Sequence, residues 1–248
     1  MRRRFFVEGF KDATATLRGE AAEHLGRVLR AEPGQLYELS DGRSIWLGRV
    51  ESVALEKRGA GRIEFALVEP IPVREAPLLI ELLISLVKFD HFEWCLEKAT
   101  ELGVAEIIPL AAARSDKPLV AAAVKRHARW EKLVVESAQQ ARRLGPPAIL
   151  PAASPEKAFA QSRAACKVLL SERREAPSLR EVFSNCSGAA AVSLAFGPEG
   201  GWTEKEIVAA RASGFMEASL GENILRTETA VISALAIASF ALRGDGLP

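Results

Sequence analysis

The chain is poor in the features that mark several protein classes, and each shortage excludes something. It has three cysteines in 248 residues, Cys95, Cys166 and Cys186, an odd number at long spacings with no CxxC pair and no histidine cluster nearby. That pattern predicts buried thiols in a reducing compartment and argues against a disulfide framework or a zinc site. Long apolar runs are missing too. The charge-free run near the C-terminus, Ala230 to Leu242, has 13 residues, against the roughly 20 that a membrane helix needs. Glu81 interrupts the other candidate, Leu78–Val87. Met1-Arg2-Arg3-Arg4 is followed by only Phe5-Phe6-Val7 before Glu8, too little for the apolar core of a signal peptide. The expectation is a cytoplasmic protein with no membrane partner. Neither sign of charge dominates. With 33 Lys+Arg against 32 Asp+Glu the formal charge is +1, so any attraction to a polyanion must come from local patches.

Several site signatures are absent as well. Gly59-Ala60-Gly61-Arg62-Ile63-Glu64 lacks the last glycine of a dinucleotide-binding GxGxxG, and neither GxxxxGK[ST] nor HExxH occurs. A Rossmann dinucleotide site, a P-loop and a metal centre are therefore unsupported. What is present is the composition of an ordinary globular protein, 48% hydrophobic and 26% charged, long enough for one large domain or two unequal ones.

The first seventy residues carry short strand-like runs at Arg3–Val7, Gln35–Ser40, Ser44–Ser52 and Arg62–Val68, separated by turn signals such as Asp41-Gly42. This predicts a small β-barrel or meander. One helix interrupts it over Gly19 to Arg30, where Ala22, Leu25, Val28 and Leu29 recur at helical spacing. At Glu69-Pro70-Ile71-Pro72-Val73 two prolines are expected to stop the ladder, so the boundary falls between residues 72 and 73. From Leu78 onward apolar runs alternate with helical stretches up to Thr227–Leu242. That alternation predicts a mostly parallel sheet covered by helices on both faces. Ligands of such sheets bind in the loops at the carboxyl ends of the strands.

Two of those loops carry chemistry. Leu194-Ala195-Phe196-Gly197-Pro198-Glu199-Gly200-Gly201-Trp202-Thr203 runs from a strand into a helix, and glycines there let a backbone approach a ligand closely. Thr203-Glu204-Lys205-Glu206 has the form of a capping box. Ser219-Leu220-Gly221-Glu222-Asn223-Ile224-Leu225-Arg226-Thr227-Glu228-Thr229-Ala230 leads into the apolar last helix. Thr227 and Glu228 fit a helix start, but Arg226, beside an apolar pair, needs an acidic or phosphate partner.

The first glycines of the two loops, Gly197 and Gly221, are 24 positions apart. The pair resembles the last two motifs of the knotted SPOUT class of S-adenosylmethionine-dependent RNA methyltransferases. Within that class the likeness is to the ribosomal RNA small-subunit methyltransferase E family, which methylates N3 of a uridine in 16S rRNA. Arg3-Arg4-Phe5-Phe6 and His24-Leu25-Gly26-Arg27-Val28-Leu29-Arg30 look like that family's PUA-like RNA-binding domain. Lys98-Ala99-Thr100-Glu101-Leu102-Gly103-Val104, with Ile107-Ile108-Pro109-Leu110 and Arg114-Ser115, is similar to its first methyltransferase motif. Phe89 and His91 stand where the family usually has glycine and arginine, and Gln139 and Ala141 where glutamate and a small polar residue are usual.

The resemblance implies an α/β fold: a trefoil-knotted methyltransferase domain over 73–248 after a PUA-like β-barrel over 1–72. It implies S-adenosyl-L-methionine as cofactor, held by Gly197, Glu199, Gly200 and Gly201 in the first loop and Leu220, Ile224, Leu225 and Arg226 in the second. It also implies a homodimer through the last helix, with 16S rRNA or the small ribosomal subunit as partner and no metal. Uridine N3 bears a proton, so transfer needs a proton acceptor or an anion stabiliser; Arg226 suits the second role and Glu199 or Glu228 the first. RNA contacts are expected from Arg3, Arg4, His24, Arg27, Arg30, Arg114 and Arg143. The stretch Lys125 to Arg143 adds a surplus of four positive charges, six basic residues against Glu131 and Glu136. Two other readings remain open: a SPOUT enzyme acting on a different rRNA or tRNA nucleotide, and a non-enzymatic RNA-binding or ribosome-assembly factor that keeps the fold.

Overall fold

The computed structural model describes residues 3–55, 61–73 and 78–242; Met1-Arg2 and Gly59-Ala60 of the stretches above lie outside them. The chain divides into two compact units, Met1–Glu75 with Ala138–Pro146, and Ala76–Ser137 with Pro147–Pro248. The piece 138–146 is a departure from the single cut after residue 72. It joins the first unit because its polar groups are used there. Arg142 pairs with Glu38, and Ser40 Oγ donates to the Leu144 carbonyl.

In the first unit the strands are β1 (Arg4–Phe6), β2 (Phe10–Lys11), β3 (Thr14–Arg18), β4 (Leu36–Ser40), β5 (Ile45–Ala54) and β6 (Arg62–Ile71). They form one sheet in the order β1-β4-β5-β6-β3-β2, and no ladder joins β1 to β2 among the described residues. Side chains on its inner face, Phe5, Leu17, Leu39, Val50, Ile63 and Phe65, close on Ala22 and Leu25 of the helix. Asp41-Gly42 turns the β4–β5 hairpin as the sequence suggests: Asp41 Oδ1 accepts from Arg43 N at 2.9 Å and Ser44 N at 2.8 Å. The β2–β3 hairpin was invisible in the sequence. Its turn places Asp12 and Ala13 at φ 48° and 60°, a left-handed conformation that normally announces itself with Asn or Gly.

Two expectations need correction. The β6 ladder runs through Pro70 and ends at Ile71, directly before Pro72; Trp46 pairs with Pro70 and Ile45 with Ile71. On its other side β3 pairs only with residues Arg62 to Ala66, so Pro70 sits where β6 is an edge and needs no donor. The helix over Gly19–Arg30 is a short α1 (Gly19–Glu23) continued by a π-helical turn, His24–Val28, and Arg30 leaves it at φ 52°.

The second unit runs β7 (Leu79–Ser85), α2 (Phe89–Glu101), β8 (Glu106–Leu110), α3 (Lys117–Gln140), β9 (Ala148–Ile149), α4 (Pro155–Gln161), β10 (Cys166–Leu170), α5 (Leu179–Ser184), β11 (Ala191–Phe196), α6 (Glu204–Ala212), β12 (Met216–Ala218) and α7 (Thr227–Leu242). The sheet order is β12-β10-β11-β7-β8-β9, with every ladder parallel. Successive side chains of a strand face opposite ways, and the core divides accordingly. Leu82, Val168 and Leu194 join a cluster with α2, α3, α5 and α7, whereas Leu83, Leu169 and Ala195 join one with α4 and α6. Helices therefore cover both faces, as the alternation of apolar runs requires.

Cys166 and Cys186 form a disulfide, with Cα atoms 5.6 Å apart. This corrects the expectation of three free thiols; Cys95 alone is free. A separation of 20 residues conceals the pair in sequence. Cys166 opens β10, and the chain returns through α5 to set Cys186 beside it. Cysteine usage thus no longer argues for a reducing compartment.

Candidate active site

Strands β10, β11 and β12 end at Leu170, Phe196 and Ala218, and the loops that follow them converge on one cavity of about 880 Å³. Its walls carry Gly197, Glu199 and Gly201 from the first candidate loop and Leu220, Ile224, Leu225, Arg226, Thr227 and Glu228 from the second. Two loops separated by a helix and a strand thus meet in one place, at the carboxyl edge of the sheet. The volume falls in the range of roughly 300–1,000 Å³ that holds a small molecule. Gly200 is not on the wall; its carbonyl accepts from Arg114 Nη1 at 2.7 Å.

The first loop is held from behind. Trp202 is buried and its indole N–H donates to the Leu170 carbonyl at 2.9 Å, tying the loop to the end of β10. The ring lies so close to Gly197 that a Cβ there would stand 3.1 Å from Trp202 Cε2, which gives that glycine a packing reason. Arg114 Nη1 spans the carbonyls of Gly200 and Trp202, at 2.7 and 3.2 Å. The capping box read from the sequence is present at Thr203 and Glu206. Glu206 does more than cap: buried to 2% exposure, it also accepts from Ala113 N at 2.8 Å, fixing the turn that aims Arg114.

The second loop is left open to a ligand. Among the described residues the main-chain N–H and carbonyl groups of Leu220, Ile224 and Leu225 make no hydrogen bond. Backbone groups seldom remain unpaired where water is displaced, so these are ready partners for a bound heterocycle. Ile224 is 79% exposed, an apolar side chain with nothing yet to cover. The side chains of Glu199 and Arg226 likewise make no hydrogen bond or ion pair among the described residues. Arg226 does act on Glu228 through its charge.

Glu228 is already engaged. His91 Nδ1 lies 3.1 Å from Glu228 Oε1. Partial burial opposes ionisation of Glu228, but its own backbone N–H at the start of α7, His91 and Arg226 together hold its carboxyl below the usual carboxylate range. One turn along α2, burial and the Glu228 charge push the Cys95 thiol up to about 12. At pH 8 such a thiol is roughly one part in ten thousand thiolate. A thiol reagent at that pH is therefore expected to leave the native, non-reduced protein untouched and to count one thiol only after unfolding. Reaction of the folded protein at the rate of a free cysteine would refute this.

Sequence reasoning missed part of the wall. His91 and Lys88 come from the start of α2, and Ser171, Glu172 and Arg173 from the loop after β10. Neither loop carries a glycine signature; only the rule that strand ends line the site could have found them. Among the described residues no group of three or more His, Cys, Asp and Glu could hold a metal ion.

The candidate RNA-binding residues fare unevenly. Arg3, His24, Arg27 and Arg30 are exposed on the first unit. Arg4 is not available. It is 7% exposed and its Nε and Nη2 donate to Glu38 Oε2 at 3.1 and 2.8 Å, a correction that follows from its place in β1, on the face opposite Phe5 and in register with Glu38. The surplus on α3 is also smaller than the sequence suggests. Glu93 of α2 accepts from Arg126 at 3.0 Å and from Arg129 at 2.9 Å, and Arg142 is spent on Glu38. Arg143 is half-buried and desolvation lowers its pKa, while Arg114 serves the Gly200 loop. Trp130 and Trp202 are core residues, but Trp94 is 42% exposed.

Comparison with known proteins agrees with this geometry. The family described as RNA methyltransferase domain matches residues 74–239. The chain is 34% identical over 233 residues to the ribosomal RNA small subunit methyltransferase E of Synechocystis sp., covering 91% of this chain and 72% of that one. It is 30% identical to the Bacillus subtilis protein of the same name, covering 98% of this chain and 99% of that one. The crystal structure of a ribosomal RNA small subunit methyltransferase E from Neisseria gonorrhoeae bound to S-adenosyl methionine superposes with a TM-score of 0.85 at 31% identity, over 98% of each chain. A parallel sheet whose strand-end loops enclose one cavity, matched over both units by relatives of one kind, means that this chain belongs to the ribosomal RNA small subunit methyltransferase E family.

Proposed function

We propose that this protein transfers a methyl group from S-adenosyl-L-methionine to N3 of a uridine in the 16S rRNA of the small ribosomal subunit. The observation that carries the reading is the convergence of the Gly197 and Leu220–Arg226 loops on one cavity, with main-chain groups of the second loop left unpaired. These residues suit the donor: open N–H and carbonyl groups would take an adenine edge, Leu220, Ile224 and Leu225 its faces, and Glu199 on the same wall would supply a counter-charge to a cationic sulfonium. When bound, the donor supplies an electrophilic methyl on sulfur. The chain's own task is placement of the acceptor in line with it, which in well-oriented systems removes up to about 7–11 kcal/mol of a barrier.

Deprotonated uridine is an anion, and Arg226, a cation on the wall without a hydrogen bond or ion pair among the described residues, suits it. Glu199 and Glu228 are the carboxylates from which a proton acceptor is sought, and Glu228 is the weaker acceptor because its charged form is already stabilised. In this reading 1–72 forms a PUA-like RNA-binding domain and 73–248 the methyltransferase domain, its last loops tied in a trefoil knot. Arg3, His24, Arg27 and Arg30 supply RNA contacts. The enzyme works in the cytoplasm as a homodimer; Ile237 and Phe240 of α7, 38% and 81% exposed, suit a second subunit.

The test is in two parts. Calorimetry with S-adenosylmethionine should give one site per chain, and mass spectrometry of 16S rRNA from cells lacking the protein should show one uridine without its methyl group. Arg226→Ala is expected to lower methyl transfer on the order of 10–100-fold, the loss of one charge-assisted contact. Full transfer and full RNA affinity in that variant would remove Arg226 from the mechanism.

A further inference from the structure

The proton acceptor sought above is better supplied by a residue that stands outside both loops. His91 lies at the start of α2, is partly exposed with a side-chain accessibility of 30%, and lines the same cavity as Arg226 and Gly197. Its Nδ1 is 3.1 Å from Glu228 Oε1 on α7. A carboxylate on one imidazole nitrogen fixes the tautomer, placing the hydrogen on that nitrogen and the lone pair on the other. It also stabilises the imidazolium formed when the other nitrogen takes a proton.

We propose that His91 is the base that removes the N3 proton of the target uridine, with Glu228 as the residue that positions it. The inference rests on the methyl-transfer reading given above. His91 Nε2 accepts the N3 proton, and the electron pair left on N3 forms the new bond to the donor's methyl carbon. As it forms, the carbon–sulfur bond breaks and its electron pair stays on sulfur, turning the sulfonium into a neutral thioether. The imidazolium then returns its proton to water. Glu228 stays ionised throughout, which is why its preference for the charged form is an asset in this role and a handicap as the base itself.

The surroundings allow the assignment. From α2 itself, Asp90 Oδ2 stands 3.7 Å from Nε2 on a side chain that is 77% exposed, so it can turn to solvent when substrate enters. Lys88 precedes it at the cavity rim, and the Cys95 thiol lies one turn on. From α7 and its leading loop come Glu228 and Arg226; from α3, Arg126 sits over the Phe89 ring at 4.7 Å. Across the cavity are Arg114, Glu172, Arg173, Glu199, Glu204 and Glu222. Among these groups imidazole is the one that ordinarily changes charge near neutrality.

The experiment compares wild type, His91→Asn and Glu228→Gln, each saturated with S-adenosylmethionine, on 16S rRNA or small subunits lacking the methyl group. Wild-type kcat should fall in acid with a single limb. His91→Asn keeps a donor for Glu228 but has no basic nitrogen. It should lose roughly 10²–10³-fold in kcat, replace the acid limb by a rate that rises with hydroxide, and bind the donor within about twofold of wild type by calorimetry. Glu228→Gln should keep an acid limb, displaced to lower pH. Independently of turnover, ¹⁵N-histidine spectra of the wild type should show His91 with its hydrogen on Nδ1, and Glu228→Gln should change that population. The protein has three histidines, so assignment is direct. An unchanged acid limb in His91→Asn, or a wild-type hydrogen on Nε2, overturns the proposal while leaving the methyltransferase reading intact. A wild type that binds the donor but methylates no uridine N3 overturns both.

Discussion

Glu38→Ala should cost the first unit about 3–5 kcal/mol, the range seen when one member of a buried ion pair is removed. Glu38 and Arg4 are 3% and 7% exposed, and two nitrogens of Arg4 donate to Glu38 Oε2. Truncation leaves a guanidinium charge without a carboxylate in a place water scarcely reaches. Arg142, 45% exposed in its side chain, would lose only a solvent-screened partner, so Arg142→Ala should cost no more than about 1 kcal/mol. The two changes therefore separate the buried half of the cluster from its exposed half. A double variant, Arg4→Met with Glu38→Leu, should regain most of the loss, since well-packed apolar side chains commonly replace a buried pair at little cost. Urea unfolding at constant m-value reads all three. A Glu38→Ala protein within 1 kcal/mol of wild type would mean that the pair is dispensable.

Glu206→Ala should be nearly as damaging and should also reach the cavity. The carboxylate accepts from Ala113 N at 2.8 Å, Thr203 N at 2.7 Å and Thr203 Oγ1 at 2.7 Å. Hydrogen bonds to charged groups are worth about 1.5–3 kcal/mol each, and the part-buried N–H groups of Ala113 and Thr203 would lose this acceptor. A loss of roughly 3–5 kcal/mol follows, a fall on the order of 10 °C in the melting of the second unit. Ala113 precedes Arg114, whose guanidinium holds the carbonyls of Gly200 and Trp202. Slackening that turn should therefore weaken S-adenosylmethionine binding about tenfold, while Arg114→Ala weakens it by a similar factor with less effect on melting. Equal donor affinity in Glu206→Ala and wild type would show that the capping box supports only the helix.

Much of the second unit could be read directly from the residues. Apolar runs alternating with helical stretches at Leu78–Val87, Val104–Ala111 and Ala189–Phe196 became parallel strands because each is buried on both faces, and burial on both faces leaves a period-free apolar signature. Thr203-Glu204-Lys205-Glu206 was legible for a different reason: a capping box is closed within four residues, so its hydrogen bonds depend on nothing distant. The two loops were found by glycine and by likeness, and residues of each line the one cavity.

What sequence reasoning lost is what depends on contacts between distant segments. The Asp12-Ala13 turn has alanine at φ 60° where glycine would normally mark it. Arg4 reads as a basic surface until β1 pairs it with Glu38, 34 residues away. The positive stretch of α3 reads as an RNA patch until Glu93 packs against it.

By itself, then, the order of residues determined the α/β class, the course of the last helix and the two loops that matter, since these follow from periodicity and local hydrogen bonding. Only the tertiary structure decided which charges are free, which cysteines meet, and that His91 faces Glu228 across 137 positions. Ion pairs and disulfides are matters of distance through space, and chain separation does not encode that distance until the core has packed.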